Sequence, residues 1–486
     1  MVVSKLKKYF SDITNTEIFF IMFLSFVIIF KNIDSIILFG VDSPVYAFMG
    51  RELSLRPIWT WAFHTINGTA FIDNPPMLIW INAISISLFG TGTLPIVVPT
   101  LLMSWFTIFL TYKIGKLFID YKYGALAALT LLFTHTFINS SRNPMIEPAL
   151  MLFTMSSIYF LLCSIKEQGR TIYSMLGGFF WAIAWLSKGP STLVVPTSLI
   201  IFYILTKKID ACKNWRIPLS SFVKICFISL LTFLLIIFMY EAWYYTLTGK
   251  IFFLEYFNRQ LFYSFVQGRG VQEWKYLYYL HVIWEEYWPW LPVFIITPFF
   301  VFGRKLTKYY PTVLLNLTVV IIYILGLSLS KHKGPWYTYP YHVGLSLVSA
   351  VLITNYISDV FFKRFFKKAC FFVTLIFMLV STILPSVFTA HERPFIQFVT
   401  AAGKQLKYNY GNMNIADCSN VVQWREYFLI KYYLGATVVK CDNYNQAGLK
   451  ITNFKDPTPK SDDEVIFYKD PYYIIKKQTV TPATPI

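Results

Sequence analysis

The sequence predicts an all-α polytopic membrane protein with a small C-terminal α/β domain, and its composition and patterning are the reasons. Of the 486 residues, 56% are hydrophobic and 14% are charged, whereas soluble globular proteins carry about 25% charged residues. Apolar segments recur along residues 1–390, and polar residues become frequent only in 391–486. We therefore predict a transmembrane domain over 1–390 and a soluble domain over 391–486. A soluble multidomain enzyme, a disordered chain and a fibrous repeat are excluded.

The apolar segments predict about eleven transmembrane helices. A span needs about 20 apolar residues, because the bilayer core is about 30 Å thick and its backbone amides must be paired internally. The predicted spans are 17–38, 95–118, 123–139, 148–165, 174–187, 190–206, 218–245, 286–303, 311–329, 339–357 and 369–389. The fifth is short. Residues 75–89 are apolar but too few to cross, so we expect them to form an interfacial helix in the first outer loop.

The basic residues predict the orientation. Every even-numbered span ends in a basic cluster, which the positive-inside tendency assigns to the cytoplasm. The clusters are Lys116 and Lys122; Lys166 and Arg170; Lys207, Lys208, Lys213 and Arg216; Arg304, Lys305 and Lys308; Lys363, Arg364, Lys367 and Lys368. This distribution accounts for the net charge of +18 without a nucleic-acid partner. Lysines precede the first span and no cleavage site follows it, which predicts an uncleaved signal anchor.

The C-terminal segment alternates short β-like runs with one helical pattern. The runs are 436–439, 465–468 and 473–475, and the helical pattern lies near 421–433. On the predicted topology this domain faces the outside. Cys418 and Cys441 are then the only plausible disulfide pair in an oxidising compartment, and the sequence leaves open whether they form it.

The candidate functional residues are ionisable groups in the predicted outer loops. Lysines on the outer side oppose the usual charge bias, which indicates an anionic partner. The set comprises Asp42, Asp73, Arg142, Glu147, Lys188, Glu255, Arg259, Lys331 and Lys333. Structural ion pairs that hold the loops together are the competing interpretation, with comparable weight on the residues alone.

These residue types suit transfer of a phosphate-linked sugar. Lysine and arginine can hold a phosphate, and they can stabilise the negative charge that it gains on leaving. A carboxylate on the opposite face of the sugar can take the acceptor's proton. Such an arrangement inverts the anomeric carbon, whereas retention would need a covalent carboxylate intermediate.

Several segments carrying these charges resemble one known group. They are FGVDSPVYAFMGREL (39–53), DNPPMLIWINAISISLFG (73–90), SSRNPMIEPALMLF (140–153), LSKGPSTLVVP (186–196), WEEYWPWLPV (284–293), which follows the Glu255–Arg259 region, and SKHKGPWYTYP (330–340). In this order they resemble the polytopic lipid-phosphosugar glycosyltransferases. That group includes protein O-mannosyltransferases and the bacterial aminoarabinose transferase that acts on lipid A. The resemblance covers roughly residues 15–360.

The resemblance implies a GT-C fold, a polyprenyl-phosphate sugar donor and a periplasmic active site. Asp42 matches the catalytic aspartate of the family's first loop, and Glu147 occupies the second acidic position. Lys188, Lys331 and Lys333 match basic residues near the donor phosphate, to which we add Arg142. Tyr46, Tyr337, Tyr339 and Arg259 are assigned to the substrate. A divalent metal is possible through Asp73 and Glu255, because an acidic residue at the position of Asp73 shares a metal with a histidine in the aminoarabinose enzyme.

Four positions depart from the family pattern. Ser43 stands where a glutamate often follows the first aspartate, and Val45 replaces an arginine. Asn74 replaces a lysine, and Tyr256 replaces the histidine of the fourth loop. The departures predict a member whose donor or acceptor differs from that of the aminoarabinose enzyme.

We therefore predict an inverting glycosyltransferase of the bacterial inner membrane. It would act as a monomer among membrane lipids and move a sugar from a polyprenyl phosphate to a periplasmic lipid, glycan or protein. One alternative is a flippase of a lipid-linked sugar, although such transporters often show repeats and bind at the bilayer midplane. The other is a non-catalytic scaffold whose outer domain binds a partner.

Overall fold

A computed structural model describes residues 16–31, 33, 38, 42–262, 277–331, 333–383, 394–406, 413–419, 422–441, 448–453 and 463–477. The helices are α1 Thr16–Phe30, α2 Ser43–Ser54, α3 Met77–Phe89, α4 Thr93–Phe118, α5 Tyr121–Leu132, α6 His135–Ser141, α7 Glu147–Lys166, α8 Thr171–Lys188, α9 Val194–Lys208, α10 Leu219–Thr248, α11 Phe252–Tyr256, α12 Tyr278–Glu286, α13 Leu291–Gly303, α14 Tyr310–Leu329, α15 His342–Tyr356, α16 Asp359–Ile383, α17 Pro394–Leu406 and α18 Trp424–Leu434. The predicted domain boundary at residue 390 lies outside the described residues.

Five helical stretches within the described residues are long and apolar enough to cross a membrane. They are Thr93–Phe118, Glu147–Lys166, Thr171–Lys208, Leu219–Thr248 and Thr307–Leu329. At 1.5 Å of rise per residue, the 26 residues of α4 reach about 39 Å, which exceeds the bilayer core. The chain is therefore a membrane protein, as the composition predicts.

Each predicted span overlaps at least one helix in the described residues, but several of these helices are short. The predicted span 123–139 is divided between α5 and α6, which the residues Phe133 and Thr134 separate. Helix α13 has 13 residues and α15 has 15. Hydropathy detects apolar content but not such breaks, so the count of eleven spans stays a prediction.

Two ion pairs connect loops that the sequence assigns to the cytoplasmic side. Lys122 Nζ binds Asp359, and Lys308 Nζ lies 3.3 Å from Asp120 Oδ2. These contacts connect the loops after the second, eighth and tenth predicted spans. The connected loops lie at one end of the bundle, which agrees with a shared membrane face.

The first outer loop contains the two short helices α2 and α3, joined through a small hairpin of strands β1 (Thr65–Ile66) and β2 (Thr69–Ala70). The two helices pack closely at Gly50, where a Cβ atom would lie 2.6 Å from Asn82 Cβ. Any larger side chain at Gly50 would push α2 away from α3. The first residues of α2 are thereby held beside the segment that precedes α3.

The C-terminal part contains a five-stranded sheet with two helices. The strands are β3 Asn414–Asp417, β4 Thr437–Lys440, β5 Leu449–Asn453, β6 Asp463–Lys469 and β7 Tyr472–Lys477. Their order is β4-β3-β5-β7-β6; β3 runs parallel to both its neighbours, and β7 is antiparallel to β5 and β6. Helices α17 and α18 pack against each other and against the sheet. The small α/β unit predicted from the sequence is confirmed, whereas β3, β5 and α17 were not predicted.

A disulfide joins Cys418 to Cys441, with their Cα atoms 4.7 Å apart. Cys418 follows β3 and Cys441 follows β4, so the bridge links two neighbouring parallel strands. The bond closes a loop of 23 residues.

Replacing both cysteines with serine should lower the free energy of unfolding of this sheet by about 3 kcal/mol. Without the crosslink, the unfolded chain recovers the conformational entropy that closure of a loop of this size removes. Thermal unfolding of the purified protein with and without reductant measures the effect. The free cysteine Cys163 provides a control, since Cys163→Ser should show the parental response to reductant. An unchanged unfolding temperature in the double variant would contradict the expectation.

Candidate active site

A polar cavity of about 380 Å³ lies where the first outer loop meets the ends of several helices. Its polar lining residues come from six distant parts of the chain. They are Asp42, Tyr46, Asp73, Asn74, Glu147, Lys188, Gln260 and Tyr337, and Val45, Phe71, Met145, Ile146 and Trp336 complete the wall. Asp42 and Glu147 therefore face one space, as the catalytic prediction requires.

Glu147 and Lys188 form an ion pair in the wall of this cavity. Lys188 Nζ donates to Glu147 Oε1 at 2.6 Å, and the glutamate side chain is only 4% exposed. Helix α7 begins at Glu147, where the helix dipole favours a negative charge. Glu147 Oε2 is buried and has no hydrogen-bond partner among the described residues. One carboxylate oxygen thus fixes the lysine, and the other retains acceptor capacity.

Asp42 is the N-cap residue of α2 and Tyr46 lies one turn later. The backbone N–H of Tyr46 donates to the carbonyl of Asp42 at 3.0 Å. The Tyr46 hydroxyl accepts a hydrogen bond from Asn74 Nδ2 at 2.9 Å. Burial, reinforced by Asp42 and Glu147, raises the pKa of Tyr46 well above its ordinary value. The phenol is therefore neutral and can donate to a sugar oxygen.

Tyr337 also lines the polar cavity and belongs to the 3₁₀ helix Pro335–Tyr341. Lys188 Nζ lies 3.8 Å from the centre of its ring, a cation–π distance. Burial and the carboxylates of Glu147 and Asp42 raise the pKa of Tyr337 as well. The lysine is consequently oriented by a carboxylate on one side and by an aromatic face on the other.

A second cavity, also of about 380 Å³, continues from the first between α9 and α14. Asp73, Asn74, Lys188, Gln260 and Tyr337 line both cavities. The remaining walls are mainly apolar. They are Pro190, Ser191, Leu193, Val194, Thr197, Tyr256, Ile322, Tyr323, Gly326, Leu327 and Ser330. We call this second cavity the apolar groove and the first the polar cavity.

The apolar groove opens on the flank of the bundle. Leu193, one of its lining residues, is 47% exposed, and both helices that form it belong to stretches long enough to cross a membrane. A hydrocarbon chain in the groove would therefore be continuous with the surrounding lipid.

Tyr256 lies where the groove meets the end of α8. Gly189 has φ of +53°, and a Cβ atom there would lie 3.0 Å from Tyr256 Cε1, so glycine suits both the backbone and the ring. Burial and the nearby Asp73 raise the pKa of Tyr256. Tyr256 is thus a neutral, packed phenol at the position of the family's histidine.

Two predicted phosphate-binding residues have other partners. Arg142 Nη1 donates to the carbonyls of Ile29 and Lys31 at 2.8 and 2.6 Å. Lys333 Nζ donates to the carbonyls of Leu327 and Ser328 at the end of α14. Neither residue lines the polar cavity or the groove. Carbonyls at the C-terminal ends of helices attract cations, which accounts for these contacts. The assignment of both residues to the phosphate stays a prediction.

Three further predicted residues lie outside both cavities. Lys331 and Arg259 are exposed and do not line either cavity. Tyr339 is fully buried, stacks on Phe137 and shares a hydrogen bond of 3.1 Å with Ser104. The ring of Tyr339 thus belongs to the helix packing, and its assignment to the substrate stays a prediction.

The two predicted metal ligands are not arranged as a metal site. Asp73 lines both cavities, but Glu255 forms an ion pair of 2.9 Å with Lys250 and lines neither. No group of three or more histidine, cysteine or acidic side chains suitable for a metal occurs in the part of the chain that the structure describes. A buried phenol at Tyr256 is also a poor substitute for an imidazole ligand. These residues do not fit the metal that the resemblance implies.

Gln260 and Trp336 were not predicted. Gln260 follows Tyr256 by four residues along α11 and the π-helical turn Phe257–Leu261, a spacing that places both on one helix face. This spacing could have identified Gln260. Its Oε1 atom is buried without a hydrogen-bond partner among the described residues, so it can accept from a ligand. Trp336 lies within the segment SKHKGPWYTYP (330–340), but a search for charged residues does not select it.

The fold and the site define a polytopic membrane protein in which a polar cavity meets an apolar groove between long apolar helices. Residues 73–243 match the family described as dolichyl-phosphate-mannose-protein mannosyltransferase. The resemblance to lipid-phosphosugar glycosyltransferases that the sequence indicates is confirmed.

The chain is similar to several individual proteins. It is 28% identical over 306 residues to a protein of Aquifex aeolicus (strain VF5), covering 61% of this chain and 62% of that protein. It is 25% identical over 197 residues to undecaprenyl phosphate-alpha-4-amino-4-deoxy-L-arabinose arabinosyl transferase 1 of Proteus mirabilis (strain HI4320), covering 38% and 34%. The chain thus spans less than two thirds of either relative.

Among solved structures, ArnT from Cupriavidus metallidurans bound to undecaprenyl phosphate matches with a TM-score of 0.63 and 14% identity. The match covers 97% of this chain and 100% of that one. At this identity the match shows the fold. The GT-C architecture predicted from the sequence is confirmed over nearly the whole chain.

Proposed function

We propose that this protein is an inverting glycosyltransferase that takes a sugar from a polyprenyl phosphate. The observation that carries the proposal is the junction of the polar cavity with the apolar groove at Lys188. A prenyl-linked sugar phosphate has an apolar chain, an anionic phosphate and a polar ring in the same order. The apolar groove, Lys188 and the polar cavity match these three parts in their chemistry and in their spatial order.

Lys188 is the proposed phosphate ligand. Its ammonium group contacts Glu147 and the ring of Tyr337, and the residue lines both cavities. A preoriented cation needs little reorganisation when charge develops on the departing phosphate. Glu147 then acts by positioning this lysine, and its second oxygen remains able to accept from the sugar.

Asp42 is the proposed base, and Tyr46 and Tyr337 are the proposed sugar contacts. A carboxylate at Asp42 can take the proton of an acceptor hydroxyl as that hydroxyl attacks the anomeric carbon. The carbon–oxygen bond to the phosphate breaks in the same displacement, and the phosphate leaves as an anion. Two neutral phenols beside the carboxylates suit hydrogen bonds and stacking with a sugar ring.

The placement of the site and of the C-terminal domain on the periplasmic side of a bacterial inner membrane is part of the proposal, as is a two-domain division near residue 390. The charge distribution along the sequence supports the orientation. The Cys418–Cys441 disulfide is compatible with it, because disulfides persist in the periplasm.

The direct test is transfer in proteoliposomes. Purified protein is supplied with undecaprenyl-phosphate sugars carrying a labelled hexose or amino sugar, together with an extract of envelope lipids and glycans as acceptors. Mass spectrometry should find a new glycosidic product and free undecaprenyl phosphate. Label that reaches the other leaflet without a new glycosidic bond would instead indicate a flippase.

The groove can be tested at Gly326. A Cβ atom there would meet nothing within 4 Å, so Gly326→Phe should fold while filling the groove. We expect the KM for the prenyl donor to rise about tenfold or more. Gly303→Phe is the matched control, because Gly303 is equally open and lies at the end of α13, away from the groove. Equal donor KM values in the two variants would remove the groove from the proposal.

A further inference from the structure

We propose that Arg51 is a positioning residue through which the C-terminal domain fixes α2, and with it Asp42 and Tyr46. The inference rests on the proposed function, since Asp42 is the base there. It adds a role for the C-terminal domain and for a residue that lies outside both cavities.

Helix α2 has a cavity end and a domain end. Asp42, Val45 and Tyr46 at its start line the polar cavity. Arg51, in its last turn, donates from Nη1 to the carbonyls of Lys431 at 2.6 Å and Tyr432 at 3.2 Å. Twelve residues make a rod of about 18 Å. Movement at one end of a rod this short is transmitted to the other.

The guanidinium of Arg51 is placed where a cation is most effective. Lys431 and Tyr432 belong to the last turn of α18, where the Lys431 carbonyl also accepts from the N–H of Gly435 at 3.1 Å. The negative end of the helix dipole favours a cation there. Beside it, the ring of Phe48 lies 5.5 Å from that of Phe428 and 5.3 Å from Lys431 Nζ. The end of α18 is thus seated on one side of α2.

The C-terminal domain has a second attachment that does not involve α2. The hydroxyl of Tyr432 donates to the carbonyl of Gly92 at 2.7 Å, and those of Thr93 and Tyr433 lie 2.6 Å apart. These contacts join α18 to the start of α4. Loss of Arg51 should therefore leave the domain attached while loosening the last turn of α2, and this separates positioning from docking.

The test compares Arg51→Ala and Arg51→Lys with Tyr433→Phe, which removes a hydrogen bond at the second attachment. Transfer is measured in proteoliposomes with a labelled undecaprenyl-phosphate sugar, together with thermal unfolding and amide exchange over residues 46–50. For Arg51→Ala we expect kcat to fall about 10- to 100-fold, the range produced by small misplacements of reacting groups. The KM for the donor should change less than about twofold, because Lys188 and the groove are untouched. Exchange over 46–50 should accelerate.

Arg51→Lys should recover part of kcat, because an ammonium group can bind one of the two carbonyls, and Tyr433→Phe should retain the parental kcat. Parental kcat and exchange in Arg51→Ala would overturn the proposal, and so would equal losses of kcat in Arg51→Ala and Tyr433→Phe with equal losses of stability. If the parental protein transfers no sugar, the proposed function fails. Amide exchange still decides the positioning in that case, and unchanged exchange over 46–50 in Arg51→Ala would overturn it.

Discussion

Replacing Lys188 with methionine is expected to lower sugar transfer by at least about a hundredfold and to destabilise the protein. The variant loses the cation that we propose as the ligand of the donor phosphate, and with it the charge stabilisation of the departing phosphate. Glu147 is left as a buried carboxylate without its partner, a change that typically costs about 3–5 kcal/mol. Transfer kinetics and thermal unfolding in detergent measure the two effects.

The double variant Lys188→Met with Glu147→Gln separates these effects. Neutralising both partners removes the stranded charge, so most of the stability should return. Transfer should stay low, because no cation meets the phosphate. Recovery of transfer together with stability would mean that the pair serves only to hold α7 against α8, which is the structural interpretation left open by the sequence.

Asp42→Asn should lower kcat by about 10²- to 10⁴-fold, the usual contribution of a general base, with little change in unfolding temperature. The substitution is nearly isosteric, and no side-chain capping hydrogen bond at the start of α2 is lost. Stopped assays at saturating donor measure kcat directly.

Glu255→Gln is the matched control for Asp42→Asn. Glu255 is also an outer-loop carboxylate, but it pairs with Lys250 and lines neither cavity, so its variant should retain parental kcat. An active Asp42→Asn protein would assign the proton transfer to another group, and Asp73 would be the first to examine because it lines the same cavity.

Much of the fold follows from local sequence properties. Apolar runs locate the helices, basic clusters mark one end of the bundle, and the alternation in the tail locates β4, β6 and β7. Strands β3 and β5 were missed because NIAD and LKITN are short and contain polar residues. Their pairing in the centre of the sheet comes from tertiary contacts that no local pattern contains.

Site residues could be predicted from the sequence where a charged residue lies beside an apolar segment. They could not be predicted where the role of a residue depends on its contacts in the folded protein. Asp42, Glu147 and Lys188 stood out as charges beside apolar helices, and the structure brings them to one cavity. Arg142 and Lys333 looked equivalent to Lys188 in sequence. They differ because carbonyls at helix ends lie within their reach, which depends on where helices distant in the sequence end.

The sharing of Lys188 between the groove and the polar cavity has a consequence for turnover. On the proposed function, the spent carrier keeps its prenyl tail and its phosphate after the sugar has gone, so it would occupy the same groove and the same lysine as a fresh donor. Undecaprenyl phosphate should then compete with the donor as a product inhibitor. Its exit would be sideways, from the groove into the bilayer.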